Sequence, residues 1–200
     1  NNQTKKLAQG AMMAAVFALL IAISYYVPAL WVVTTIISPL PIAWYSASYE
    51  RSQAISMTIV AIAITFFLGG LLILPSAIVF GVAGLVIGDA IRLKKSKLYL
   101  FIATSLAILF TFAIIYLITV RLFNVDFIKD SFGLLRESFI QANNLSEQVN
   151  GQVVIPKDQL DLTLNMLNAI IPASITISVA LFALVIISIN LPLLKRFKII

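Results

Sequence analysis

Residues 54–88, AISMTIVAIAITFFLGGLLILPSAIVFGVAGLVIG, contain no charged side chain. A helix needs about 20 apolar residues to cross the hydrocarbon core of a bilayer. The stretch therefore reads as two spans, about 53–68 and 71–91, turned at Gly69-Gly70. The rest of the chain follows the same pattern. Of its 200 residues, 61% are hydrophobic and 11% charged, and the mean hydropathy is +1.04. An ordinary soluble domain is about 45–50% apolar and about 25% charged. Lipid is the solvent that this composition fits.

Working outward, a span of about 30–48 precedes the pair and is interrupted by Ser38-Pro39-Leu40-Pro41. Pro39 and Pro41 lack backbone donors and clash with the preceding turn, so this span is expected to kink or to split into two pieces. Before it, about 7–27 is uncharged. That stretch is too long for the apolar part of a secretory signal, and the chain stays hydrophobic after it. Downstream, about 98–123 and about 164–194 complete six spans, with a polar external loop, 124–163, between them. The expected fold is an all-α integral membrane bundle, a single transmembrane domain over 1–200.

Charge orients the bundle. With six spans, both termini, the Glu50-Arg51 turn and the 92–97 turn share one side. That side carries ten basic residues and two acidic ones; the other carries four and six. The sides sum to +8 and −2, which recovers the formal +6. Lysine and arginine gather on the cytoplasmic side of membrane proteins, so both termini are expected in the cytoplasm of a multi-pass cell-membrane protein. This also explains the basic pI of about 9.7 without nucleic acid.

The loop holds Phe127, Ile128, Phe132, Leu135, Phe139 and Ile140 among charged neighbours, at mostly helical spacing. It reads as an amphipathic helix on the headgroups or the bundle, or as a lid over an outward-facing pocket. Asn143-Asn144 and Asn150-Gly151 are turn signals around an expected break.

Small residues form two stripes. Ala11, Ala14, Ala15 and Ala18 mark one face of the first helix, and Ala77, Gly81, Gly84 and Gly88 one face of the fourth. Such stripes let helices approach closely in lipid. The first is read as internal packing or as a docking surface for a partner's helices, the second as packing within the chain. Asp89 and Arg92, three apart, form an expected structural ion pair.

Chemistry is sparse. There is no histidine or cysteine, so Cys or His metal sites and thiol or imidazole catalysis are excluded. No phosphate-binding glycine loop or nucleophile elbow occurs. No carboxylate sits in the middle third of a span, which argues against an ion-coupled carrier. No enzyme, cofactor or metal is expected. Tyr25 and Trp31 read as interface anchors or pocket walls. Asn165 and Asn168 share one helix face, and an amide in an apolar helix needs a partner. Together with Gly69, Gly70, Arg121 and Asn124 they could enclose a small polar ligand.

The start Lys5-Lys6-Leu7-Ala8-Gln9-Gly10-Ala11, with its alanine-rich helix, resembles substrate-binding S components of energy-coupling-factor (ECF) vitamin transporters. Ser38-Pro39-Leu40-Pro41 and the run 80–88, followed by Ile91-Arg92 and Lys94-Lys95-Ser96-Lys97, resemble the YybS-like family of bacterial membrane proteins, which is grouped by fold with S components. Members of that family are usually longer, so this chain is expected to be a piece or a short member. The resemblance covers about 5–123. It implies a six-helix bundle whose first-helix alanines dock on an ECF-type transmembrane partner with its ATPases. It also implies a small-molecule ligand near the outer face. The function it suggests is ligand capture for an uptake transporter. The alternative is a cell-envelope scaffold in the manner of the rod-shape MreD family.

Overall fold

The computed structural model describes residues 2–150 and 156–197. Those residues form seven α-helices and no strand: α1 (Asn2–Tyr26), α2 (Trp31–Ile37), α3 (Leu40–Ser48), α4 (Arg51–Arg92), α5 (Lys97–Phe123), α6 (Phe127–Asn150) and α7 (Lys157–Arg196). A single 3-10 turn, Pro28–Leu30, joins α1 to α2. Among the described residues, five stretches are long and apolar enough to cross a membrane. Only 11% of the most apolar window of α5 and of α7 is buried within the protein. Side chains such as Phe110, Phe112 and Leu181 would face water at great cost, so lipid must cover them.

The chain divides into two compact units, where the sequence reads as a single domain. The first is Asn1–Ala113 with Val179–Ile200, and the second is Ile114–Ser178.

In the first unit, α4 is 42 residues long, about 63 Å if straight at 1.5 Å per residue. It is not straight. Gly70 has φ 65° and ψ −152°, a conformation close to glycine-only. Beyond it, a Cβ on Gly81 would lie 3.2 Å from Thr58 Cγ2 and 3.3 Å from Ile62 Cδ1. Thr58 precedes Gly81 by 23 residues, which a straight helix would separate by about 34 Å. The helix therefore doubles back at Gly69-Gly70, with arms 51–69 and 71–92. Gly70 takes the reversal because a Cβ is disfavoured at positive φ.

The stretch Pro28–Ser48 has the most buried apolar window, half of it enclosed. It is split into α2 and α3 at Ser38-Pro39. α3 lies against the second arm of α4. A Cβ on Gly84 would come within 2.8 Å of the Pro39 carbonyl, and one on Gly88 within 2.5 Å of the Ala43 carbonyl. The glycines let backbone meet backbone there, the close approach that small residues permit in lipid. Arg92 pairs with Asp89 and also donates to the Tyr49 carbonyl at 3.2 Å, pinning the end of α4 to the end of α3. Along α1, Phe17 and Ile21 are buried together with Ala14 and Ala18, while Ala11 and Ala15 are exposed. The alanine stripe thus has an inner and an outer edge.

In the second unit, α6 runs unbroken through Asn143-Asn144, where the sequence suggests a turn. Asparagine costs a helix well under 1 kcal/mol per residue, and the apolar repeat on either side outweighs it. Gly151, the other half of the second turn signal, lies outside the described residues. α7 begins at Lys157, seven residues before the expected span. Asp126 starts α6: its Oδ1 accepts from the Lys129 N–H at 3.0 Å and from the Tyr116 hydroxyl at 2.8 Å. Arg136 and Asp161 join α6 to α7 at 3.0 Å. Both are exposed, and such pairs contribute at most about 1 kcal/mol.

Two outcomes test this packing. Gly88→Ala must push backbone away from backbone, and should destabilise the fold by about 1–3 kcal/mol. Gly133→Ala meets nothing within 4 Å on α6 and should stabilise that helix by about 1 kcal/mol. Thermal unfolding in detergent compares the two. The Asp126 cap should also respond to pH. The Lys129 N–H, then the Tyr116 hydroxyl, hold its carboxyl below the usual 3.8, against partial desolvation. A lowered value means the cap's contribution is full above 3.8 and is lost as pH falls through the folded value. The protection factors for hydrogen exchange in the first turn of α6 should fall several-fold below that point, and Asp126→Ala should show the low protection at every pH.

Candidate functional site

A cavity of about 720 Å³ in the first unit opens where α1 ends and α2 begins. Ligand pockets are typically about 300–1,000 Å³. The end of α1 contributes Ile21, Ser24 and Tyr25; α2 contributes Trp31, Val32, Thr35 and Ile36. The second arm of α4 adds Ile73, Ser76 and Phe80, and α7 adds Phe182 and Val185. Phe80 and Phe182 meet edge to face, with centroids 6.0 Å apart, and close one wall.

Four hydroxyl-bearing residues interrupt this apolar lining. Ser24 is nearly buried and donates to the Ile21 carbonyl at 2.7 Å, a bond within its own helix. Tyr25, Thr35 and Ser76 are the other three. No charged side chain lines the cavity. An ion placed there would lose its hydration without gaining a partner, which is expensive. The chemistry suits a neutral, mainly apolar or aromatic molecule with a few hydrogen-bonding groups.

The cavity wall depends on the broken helix. Pro39 cannot donate to the Thr35 carbonyl, so the Ser38 hydroxyl does so instead, at 2.8 Å. The Ile36 carbonyl accepts from Asn190 Nδ2 of α7, also at 2.8 Å. Asn190 is fully buried, and its amide bonds its own Ile186 carbonyl as well. Two residues of the cavity wall, Thr35 and Ile36, are thereby fixed at the point where the ladder fails.

The sequence-derived site residues separate. Tyr25 and Trp31 do line the cavity. Gly69 and Gly70 do not; they turn α4 so that Ile73, Ser76 and Phe80 reach it. A Cβ on Gly69 would lie 2.4 Å from Ile73 Cδ1, so Gly69 leaves room for that wall residue. Arg121, Asn124, Asn165 and Asn168 belong to the second unit and are exposed there. Asn124 has φ 51° and forms the bend between α5 and α6, a left-handed position that asparagine tolerates. Sequence reasoning missed Ser24, Ser76, Phe80, Phe182 and Asn190. Only Asn190 carried a usable signal, an amide in an otherwise apolar helix. Of the first-helix alanines, Ala11 and Ala14 line a smaller cavity of about 390 Å³, beside Tyr45 and Gln53. Among the described residues no group of three or more acidic side chains could hold a metal ion.

A family model described as a predicted membrane protein, DUF2232, matches residues 15–200. The chain belongs to the DUF2232 family. It is also 22% identical over 198 residues to the uncharacterized protein YybS of Bacillus subtilis (strain 168), a match over 98% of this chain and 64% of that protein. The DUF2232 chain thus spans a little under two thirds of its relative's length. No solved structure matches it significantly. These findings show a YybS-like membrane protein family.

Asn190→Leu keeps the volume of the side chain and removes the donor to the Ile36 carbonyl. It should lower stability by about 1–2 kcal/mol, the cost of a buried acceptor left unpaired. A parallel thermal melt of wild type and variant in detergent measures the difference.

Proposed function

We propose that this protein captures a small, mainly apolar molecule in the cavity between α1, α2, α4 and α7, as the substrate-binding subunit of an uptake system energised by a separate ATPase module. The cavity carries this reading: about 720 Å³, aromatic walls, four hydroxyl-bearing residues and no charge. Nothing in it resembles a catalytic centre, and the protein acts as a binder.

The membrane arrangement follows from charge. Counting the two arms of α4 as separate spans gives six, with both termini in the cytoplasm of a bacterial cell membrane and the basic 92–97 turn beside them. In that orientation the cavity opens towards the outside, where an uptake subunit meets its ligand. The outer edge of the α1 stripe, Ala11 and Ala15, is the side free to meet a partner's helices in the manner of ECF S components. Ala14 and Ala18 support it from within.

Gentle purification from the native membrane, followed by native mass spectrometry, tests the reading. The wild type should carry a small molecule and co-purify with ATPases. Ser76→Phe fills the cavity and should empty it, while Ala15→Leu should release the ATPases and leave the small molecule in place. An empty cavity together with stably bound envelope proteins would replace the uptake role with a scaffold role.

A further inference from the structure

At the opposite end of the first unit, the end of α4, the start of α5 and the end of α7 enclose a second kind of site. Four lysines, Lys94, Lys95, Lys97 and Lys195, line a cavity of about 430 Å³. Its remaining lining is apolar: Ala90 and Leu100, both buried, with Ile91 and Leu191. No carboxylate lines it. Asp89, the acidic residue in this part of α4, is paired with Arg92. Four ammonium groups around an apolar floor repel one another, and a multiply accepting anion would relieve that repulsion.

The site continues into the lipid-facing surface. A neighbouring groove of about 450 Å³ shares Lys97, Leu191 and Lys195, then runs along α7 past Ile187, Ser188 and Pro192. It contains no further charge. A charged cup that opens onto an apolar groove matches a molecule with an anionic head and a hydrocarbon tail. Free phosphate would satisfy the cup and leave the groove empty.

Local structure holds the cup open. Lys94 has φ 48°, so α4 ends abruptly and the chain turns there. The Lys94 N–H bonds the Ile91 carbonyl and the Lys95 N–H the Ala90 carbonyl, closing the helix end. Ser96 then begins α5, its hydroxyl accepting from the Tyr99 N–H at 3.2 Å. Lys95 lies over the Tyr99 ring at 5.6 Å, which restrains one of the four ammonium groups.

We propose that this is a specific binding site for an anionic phospholipid, with the phosphate among Lys94, Lys95, Lys97 and Lys195 and an acyl chain along Ile187, Leu191 and Pro192. Basic pockets between membrane helices are suited to such headgroups. The proposal is independent of the uptake role, since the two cavities share no residue.

Native mass spectrometry of the full chain in detergent tests it. Phosphatidylglycerol and phosphatidylcholine with identical acyl chains are titrated separately, and inorganic phosphate is added as a competitor. The anionic lipid should bind at least tenfold more tightly, and millimolar phosphate should not displace it. Lys97→Gln/Lys195→Gln should remove most of that preference. Lys5→Gln/Lys129→Gln, which changes the net charge equally elsewhere, should retain it. Equal retention of both lipids, equal loss in the two double variants, or displacement by phosphate would each overturn the proposal. If the first double variant does not fold, the wild type alone still decides. Its melting temperature should rise with phosphatidylglycerol and not with phosphatidylcholine, and equal shifts would again overturn it.

Discussion

A helix broken inside a membrane must find partners for the carbonyls that its break sets free. Water is absent from the hydrocarbon core, so each unpaired group is costly. Pro39 creates that demand at the centre of the first unit, and the surrounding structure answers it. The Ser38 hydroxyl takes the Thr35 carbonyl, and the Asn190 amide takes that of Ile36. Gly84 meanwhile allows the second arm of α4 to press against the Pro39 carbonyl itself. One proline thus ties together α2, α3, α4 and α7.

The cavity is a consequence of this arrangement. A straight helix over 28–48 would present a continuous ridge to its neighbours. The break separates α2 from α3, and Trp31, Val32, Thr35 and Ile36 of α2 line an opening between the end of α1 and the second arm of α4. The reversal at Gly70 serves the same end, because it returns Ile73, Ser76 and Phe80 along the first arm to the cavity wall. Pro39, which costs the helix a hydrogen bond, and Gly70, which reverses it, are therefore what shape the space. The lysine cup at the other end arises differently, from three helix termini brought together, each carrying basic residues that favour the membrane surface.

Much of this was legible from residue order. Composition and span length determined an all-helical membrane protein. Gly69-Gly70 marked the reversal, because the uncharged run around it is too long for a single crossing. Ser38-Pro39-Leu40-Pro41 marked the break, because proline cannot continue a helix without losing a bond. Spacing of four and three placed Ala77, Gly81, Gly84 and Gly88 on one face. The amphipathic helix between the last two spans followed from its apolar repeat, though the asparagines at 143 and 144 wrongly suggested an interruption.

Tertiary structure alone decided which side chains meet. Tyr25 and Trp31 share a wall with Phe80 and Phe182, yet nothing distinguishes those phenylalanines in the sequence from others that face lipid. In a membrane both surroundings are apolar, so hydrophobic pattern no longer separates inside from outside. The alanine stripe shows the same limit: spacing put four residues on a face, and only packing buried Ala14 and Ala18 and left Ala11 and Ala15 outside. Lys97 and Lys195 are almost a hundred residues apart, and they share a cavity only because the start of α5 and the end of α7 come to the same place in the fold. The sequence by itself marked which stretches are apolar enough to cross, the break at Pro39 and the reversal at Gly70, since those are local costs of charge, proline and glycine. Which residues form a cavity is a non-local outcome, settled where the helices touch.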